Sequence, residues 1–261
     1  MRGPAKAKNS AAGWTPLPDP DGYYSSGIPD FDRLLGGGFL RGTATLFSMD
    51  ESVGLEDLDL LLFPTILNFL YQSRGMIAVL PSRDSPHGLR ARLTRFATRR
   101  RFDRRVRVVD YIGEDEGLSY VVNLANSSHE SPREPTAKQR ERAVAKMEEA
   151  ERAAQGNRKN PIIELMAFEV ADTLMGTETA LRMFFSGIKR ARHVNNLLIG
   201  LLGPGLGCAA GVRRMTDTEF ALHREDLGLI IRGVRPAFPS FVVTEDTTKR
   251  SPHVAFVPRP S

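Results

Sequence analysis

Five short apolar runs are spaced along this chain, and helix-like stretches follow most of them. That alternation constrains the fold more than any other feature. The strand-like runs are 43–48 (TATLFS), 76–80 (MIAVL), 106–112 (VRVVDYI), 161–166 (PIIELM) and 196–202 (NLLIGLL). The helix-like stretches are 58–71 (LDLLLFPTILNFLY), an arginine-rich helix after residue 80, and 178–193. Strands alternating with helices build βαβ units and a mostly parallel sheet with helices on both faces. After a glycine-rich turn at 203–207 the pattern changes. Strand-like pieces at 219–223, 228–234 and 241–244, closed by 254–257, follow without intervening helices. They predict antiparallel strands at the C-terminal edge of the sheet.

Residues 1–22 read as a disordered tail, with Pro16, Pro18 and Pro20 opposing regular structure and Trp14 available to dock. Residues 23–261 read as a single domain with a polar helical insertion at about 125–160. Within the insertion, 136–139 (TAKQ) fits a capping box, and Gly156 suits the position after a helix end. The thin apolar stripe Val144, Met147 and Ala154 predicts a surface helix, with a partner-binding arm as the functional alternative.

Composition narrows the function. Apolar residues make up 41% and charged residues 26%, which excludes wholesale disorder and fibrous repeats. One cysteine, Cys208, excludes a disulfide framework and a cysteine-based zinc site, and predicts a reducing, intracellular setting. No apolar run reaches bilayer-spanning length, and the N-terminus lacks the apolar centre of a signal peptide, so a soluble cytoplasmic protein without membrane partners is expected. His87, His129, His193, His223 and His253 show no metal-ligand spacing, and no nucleophile-elbow G-x-S-x-G occurs. The net charge of +5 is unevenly spread. Residues 90–107 carry nine arginines against Asp103, +8 in 18 residues, leaving −3 elsewhere. This run, including Arg92, Arg95, Arg99, Arg100 and Arg101, reads first as a solvated helix face and second as an anion or nucleic-acid patch.

The segment 25–43, SSGIPDFDRLLGGGFLRGT, resembles the leading segment of KaiC and RadA-type ATPases, in the RecA-like branch of P-loop proteins. That family's pattern is roughly S/T-T-G-I-P-G-L-D-x-L-L-G-G-G-I-P-x-G-S. The order of strands and helices over 25–202 fits as well. The resemblance implies a RecA-like P-loop domain that assembles into rings or filaments.

It also implies a phosphate loop, G-x-x-x-x-G-K-[ST], after the first core strand. Such a loop needs glycines for backbone wrapping, a lysine against the phosphate oxygens and a hydroxyl for Mg²⁺. Placed without gaps, it falls on Met49, Asp50, Glu51, Ser52, Val53, Gly54, Leu55 and Glu56. Only Gly54 fits. Leu55 replaces the lysine, Glu56 replaces the hydroxyl residue, and Asp57 and Asp59 add further charge. One like-charge pair at about 4 Å costs about 4 kcal/mol at an effective dielectric of about 20, so polyphosphate is opposed here.

Three further positions follow from the resemblance. Where the family places two glutamates before Ser-Pro, this chain has Arg83 and Asp84, and an arginine cannot serve as a general base. The metal-associated aspartate of I-D-S-L corresponds to Glu164, a Walker B-like position. The K-x-R pair that reaches a neighbouring subunit has its nearest equivalent in Arg232 and Arg235, which could act in trans. Departures at three separated sites point to a pseudo-ATPase with no catalytic residues and no cofactor or metal. Its expected role is regulatory or scaffolding, as a homo-oligomer or with an active relative. The alternatives are an active ATPase with a non-standard ATP/Mg site, and a nucleic-acid-binding recombinase-like protein.

Overall fold

The computed structural model describes residues 14–111, 117–124, 137–156, 160–226, 228–245 and 253–259. Expectations for 1–13, 125–136 and 157–159, the capping-box threonine among them, lie outside the described residues, as does the side chain of Val144.

The chain begins with a small antiparallel pair, β1 (Tyr23–Tyr24) and β2 (Phe39–Leu40), around α1 (Pro29–Leu34). Asp32 organises this turn, accepting hydrogen bonds from Ser25 Oγ (2.5 Å), Ser26 N (2.7 Å) and Ser26 Oγ (2.6 Å). Gly38, at φ 114°, has room for no side chain, because a Cβ there would lie 2.3 Å from the Tyr24 carbonyl. The segment that carries the family resemblance is therefore built for local folding. Phe31 stacks on Phe256 and meets Phe220 edge-on, which ties the beginning of the domain to its last strands.

The ten-stranded sheet uses β3 (Ala44–Met49), β4 (Gly75–Val79), β5 (Val106–Asp110), β6 (Val121–Asn123), β7 (Ile162–Ala167), β8 (Leu197–Leu202), β9 (Thr218–Glu225), β10 (Gly228–Arg235), β11 (Ala237–Glu245) and β12 (Val254–Pro258). Their spatial order is β12-β11-β10-β9-β3-β8-β7-β4-β5-β6. Strands β9, β3, β8, β7, β4, β5 and β6 run parallel, and the last four hairpin-connected strands are mutually antiparallel. The expected fold class is the one observed.

One face is covered by α2 (Leu55–Tyr71), whose Leu61, Leu67 and Phe69 pack in one cluster with Ile163, Leu165, Ile199 and Leu201. The other carries α6 (Phe168–Met175), α7 (Thr177–Val194) and α8 (Ala209–Met215), with Phe168, Phe184 and Ile188 against Leu46, Leu198 and Leu202. Helix α7 buries Ala180, Phe184, Gly187, Ile188 and Ala191, the spacing of one helical face, and ends at Asn195 in the left-handed conformation. A smaller third cluster lies under α5 (Ala137–Gln155).

Four expectations need correction. Residues 14–22 are anchored at three points: Trp14 is buried, Leu17 N donates to Asn68 Oδ1 (2.7 Å), and Asp19 pairs with Arg74. The arginine-rich helix is two helices, α3 (Pro86–Leu93) and α4 (Arg99–Arg105), each with its own N-cap. Ser85 Oγ accepts from Gly88 N (3.0 Å) and Thr98 Oγ1 from Arg101 N (3.2 Å). A helix, α8, does occur after the 203–207 turn. The helix of the polar insertion is part of the layer over the sheet, with Ala150 and Ala154 buried.

Candidate functional site

The loop between β3 and α2 sits at the carboxyl end of the parallel strands, where α/β sheets place ligands. Met49 ends β3, Gly54 is the N-cap of α2, and Leu55 and Glu56 are its first two residues. Two of the loop's N–H groups are taken by carboxylates and a third by a loop carbonyl. Asp57 Oδ2 accepts from Gly54 N (2.9 Å), while Asp50 Oδ1 accepts from Ser52 N (2.9 Å) and from Ser52 Oγ. Val53 N donates to the Asp50 carbonyl (3.4 Å). The buried Asp57 also pairs with Arg224, which reaches over from β9. Glu51 and Glu56 are exposed and Val53 is buried.

Arg83 and Asp84 divide their roles. Arg83 donates to the Val53 carbonyl (3.2 Å), so it braces the loop. Asp84 receives two hydrogen bonds from Arg92 (3.0 and 2.7 Å), and Arg92 Nε reaches Asp59 on α2 (2.6 Å). Burial pushes the Asp59 carboxyl up to about 6, against the pull of Arg92. The hydrogen bonds to Asp84 hold the Arg92 guanidinium above its ordinary range. This Asp59–Arg92–Asp84 bridge joins α2, α3 and the turn after β4.

Glu164 does not end its strand. Strand β7 continues to Ala167, so Glu164 is its third residue, and its carboxylate takes Arg190 (2.8 Å) and Asn196 (2.8 Å) from the α7 side. Its neighbours Ile163 and Leu165 face α2 and the loop side. The expected metal-facing position is therefore corrected, because alternation along a strand sends Glu164 to the opposite face. The acid that follows β7 is Glu169, the second residue of α6, which accepts from Ser82 N (2.7 Å) and Ser82 Oγ (2.8 Å). Sequence reasoning missed Glu169. It also missed Glu219 of β9, which accepts from Ser48 (2.8 Å) and pairs with Arg213 (3.0 Å).

The arginine run splits in two. Arg90 binds Asp103 bidentately (2.8 and 2.9 Å), and Arg92 forms the bridge above. Arg101 lies 3.8 Å from the Tyr71 ring centroid. Arg105 donates to the Ala154 and Gln155 carbonyls (3.4 and 2.9 Å) at the end of α5, and Arg107 to the Asp103 and Val106 carbonyls (2.9 and 2.7 Å). Arg95, Arg99, Arg100 and Arg104 are exposed, with no ion pair among the described residues. Arg232 is exposed on β10, and Arg235 caps α8 by donating to the Thr216 carbonyl (2.6 Å). Fixed in that way, Arg235 is not a free trans-acting group. Among the described residues no cluster of three His, Cys, Asp or Glu could hold a metal ion, and no helix is long and apolar enough to cross a membrane.

The chain matches the family described as GvpD basic region 2 over residues 13–258. Protein GvpD2 of Halobacterium salinarum (strain ATCC 700922 / JCM 11081 / NRC-1) is 25% identical over 246 residues, covering 93% of this chain and 48% of that protein. Protein GvpD1 of the same strain is 38% identical over 76 residues, 29% of this chain and 14% of the relative. The aligned part thus spans at most about half the length of these curated relatives. Among solved structures, the uncharacterized protein PH0321 from Pyrococcus horikoshii, in complex with an unknown peptide, superposes with a TM-score of 0.61 at 14% identity. That match covers 89% of this chain and 98% of the other. The KaiC-like protein PH0186 from Pyrococcus horikoshii OT3 gives a TM-score of 0.59 at 11% identity, covering 90% and 98%. At such identities the structures establish the fold, which is KaiC-like, while the match over 13–258 establishes kinship: the chain belongs to the GvpD basic region 2 family.

Proposed function

We propose that this chain is a non-hydrolysing KaiC/RadA-like protein that acts as a regulatory or scaffolding subunit, through self-assembly or partner binding. One observation carries the reading. In the loop that would cradle phosphate, the Asp50 and Asp57 carboxylates take the N–H groups of Ser52 and Gly54, and an arginine from β9 balances the buried Asp57. An incoming polyphosphate would have to displace those carboxylates, without a lysine to attract it. Arg83 on the Val53 carbonyl supports the same reading, since the position of the water-activating acid is used as a brace.

The test is a thermal-shift titration with magnesium-ATP beside a phosphate-release assay. The expected result is an unchanged melting temperature and no release above buffer. A saturable stabilisation lost on Gly54→Asp would overturn the reading and favour an ATPase with a non-standard site.

A second reading, nucleic-acid binding, is favoured by Arg95, Arg99, Arg100 and Arg104, which the fold leaves without acidic partners among the described residues. Its signature is duplex binding that falls steeply with salt and is lost in an Arg99→Glu/Arg100→Glu variant. Salt-independent or absent binding disposes of it.

A further inference from the structure

Helix α5 meets the sheet through an unusual surface. Among its described side chains, 145–155, the inward positions are Met147, Ala150, Glu151 and Ala154, the spacing of one helical face; the two alanines are fully buried and Met147 partly so. Beneath them lies a strip of larger apolar side chains, Ile77, Val79, Val109 and Ile162, buried in a cluster separate from the main core. The two alanine methyl groups contribute little hydrophobic anchoring, since each buried methyl-sized group is worth about 0.8 kcal/mol, and the half-buried Met147 adds part of a larger side chain.

Polar clasps add to these contacts among the described residues. Lys146 Nζ donates to the Asn123 carbonyl (2.6 Å), and Arg105 of α4 holds the last carbonyls of α5. The third clasp contains two acids and one base. Arg190 of α7 donates to Glu164 of β7 at 2.8 Å, whereas its distance to Glu151 of α5 is 3.9 Å. The Asn196 amide also serves Glu164 (2.8 Å), and Gln155 donates to Glu151 (3.3 Å). Glu164 thus holds the better share of the guanidinium. Glu151 is left with a long contact and a like charge behind it.

We propose that α5 is a releasable cover on this face of the sheet, seated with Glu151 against the Arg190–Glu164 pair, and that ionisation of Glu151 loosens it. Burial first, then the Glu164 charge, push the Glu151 carboxyl up. Arg190 pulls it down, Glu148 on the same helix raises it further, and the Asn196 amide lowers it. The sign follows from linkage. Docked α5 binds the Glu151 proton more tightly than released α5, so docking weakens as pH rises from the ordinary carboxylate range through the raised value. Release bares the Ile77, Val79, Val109 and Ile162 strip.

The molecule carries its own reference for the test. Cys208 is buried in the cluster on the α7 side, beyond the reach of α5. An Ala150→Cys variant of the full chain is labelled with a thiol-reactive probe from about pH 5 to about pH 8. Each thiol's rate is normalised to its rate in the urea-unfolded chain at the same pH. The inference expects the thiol introduced on α5 to label faster than Cys208 throughout. Its normalised rate should rise about threefold or more across the range, and Glu151→Gln should flatten that rise. Equal rates at the two thiols, or a rise that survives Glu151→Gln, would overturn it. Should the cysteine variant fold poorly, amide exchange of the unmodified chain and of Glu151→Gln over 145–156 makes the same comparison. Protection equal to that of β7 at every pH overturns the inference; weaker protection that Glu151→Gln renders pH-independent supports it.

Discussion

Helices α2 and α5 are both long, and both lie on the central sheet, yet they are held in opposite ways. Helix α2 buries twelve of its 17 residues, among them Leu61, Ile66, Leu67 and Phe69. Of its described side chains, 145–155, helix α5 fully buries two alanines and partly buries Met147, with polar clasps at its middle and C-terminal end. A buried leucine or phenylalanine side chain contributes about 1.5–3 kcal/mol, several times the contribution of a methyl group. Helix α2 therefore belongs to the cooperative unit of the domain, and α5 to its low-stability end. The front loop is tied to α2 through Asp57 on Gly54 N, with Arg224 reaching that same Asp57 from β9 and Arg83 bracing the loop from the turn after β4.

The contrast can be broken most forcefully at α2. Phe69→Ala removes a fully buried ring that meets Tyr24 at 4.9 Å, and should destabilise the whole domain by about 3–5 kcal/mol in denaturant titration. A loss below about 1 kcal/mol would mean that α2 is not part of the cooperative core.

Gly75→Ala strikes at α5. An added Cβ would lie 2.3 Å from the Ala154 carbonyl oxygen and 2.9 Å from that of Arg105, and both contacts are backbone. A cost of about 1–3 kcal/mol is expected, with faster amide exchange concentrated in 145–156. Equal loosening of α2 would erase the distinction between the helices.

A third experiment sharpens the role of the Asp59–Arg92–Asp84 bridge in fastening α2. The Asp59 carboxyl sits at about 6, above the ordinary carboxylate value, so between roughly pH 4 and pH 6 the folded state holds more proton than the unfolded. This group's contribution to stability therefore declines as pH rises through that window. Asp59→Asn should flatten that part of the stability profile, and an unchanged slope would remove Asp59 as its source.

The smallest effect belongs to Arg224→Ala. Its side chain is 53% exposed and Asp57 keeps its hydrogen bond from Gly54, so a loss of no more than about 1 kcal/mol is expected. Magnesium-ATP should remain without effect on the melting temperature of this variant. New nucleotide binding would show that the Arg224–Asp57 pair was what kept the loop closed.

The parallel strands and the antiparallel edge were legible because apolar periodicity is a local signal. So was the leading segment, whose Asp32 network spans seven residues at most. The front loop's position was legible for the same reason: it falls between a strand and a helix that announce themselves. Helix α8 was missed because seven residues with one buried side chain, Val212, leave almost no periodic trace. Glu164 was misplaced because a four-residue string cannot show which face of the sheet its side chain serves, which is set by Arg190 and Asn196, 26 and 32 residues away. The arginine run hid its division of labour, since Arg92 pairs with Asp59, 33 residues away, and Arg101 rests on Tyr71.

By itself, then, the sequence determined a KaiC-like α/β frame and the loop, ending at Gly54, that leads from its first core strand into the helix opened by Leu55 and Glu56. Only the tertiary structure decided which charges are spent and which remain free, which face Glu164 serves, and that α5 rests on alanines and a crowded pair of acids. The physical reason is range. Periodicity and turn chemistry act between near neighbours, whereas charge pairing and burial depend on strands and helices distant in the chain being brought together.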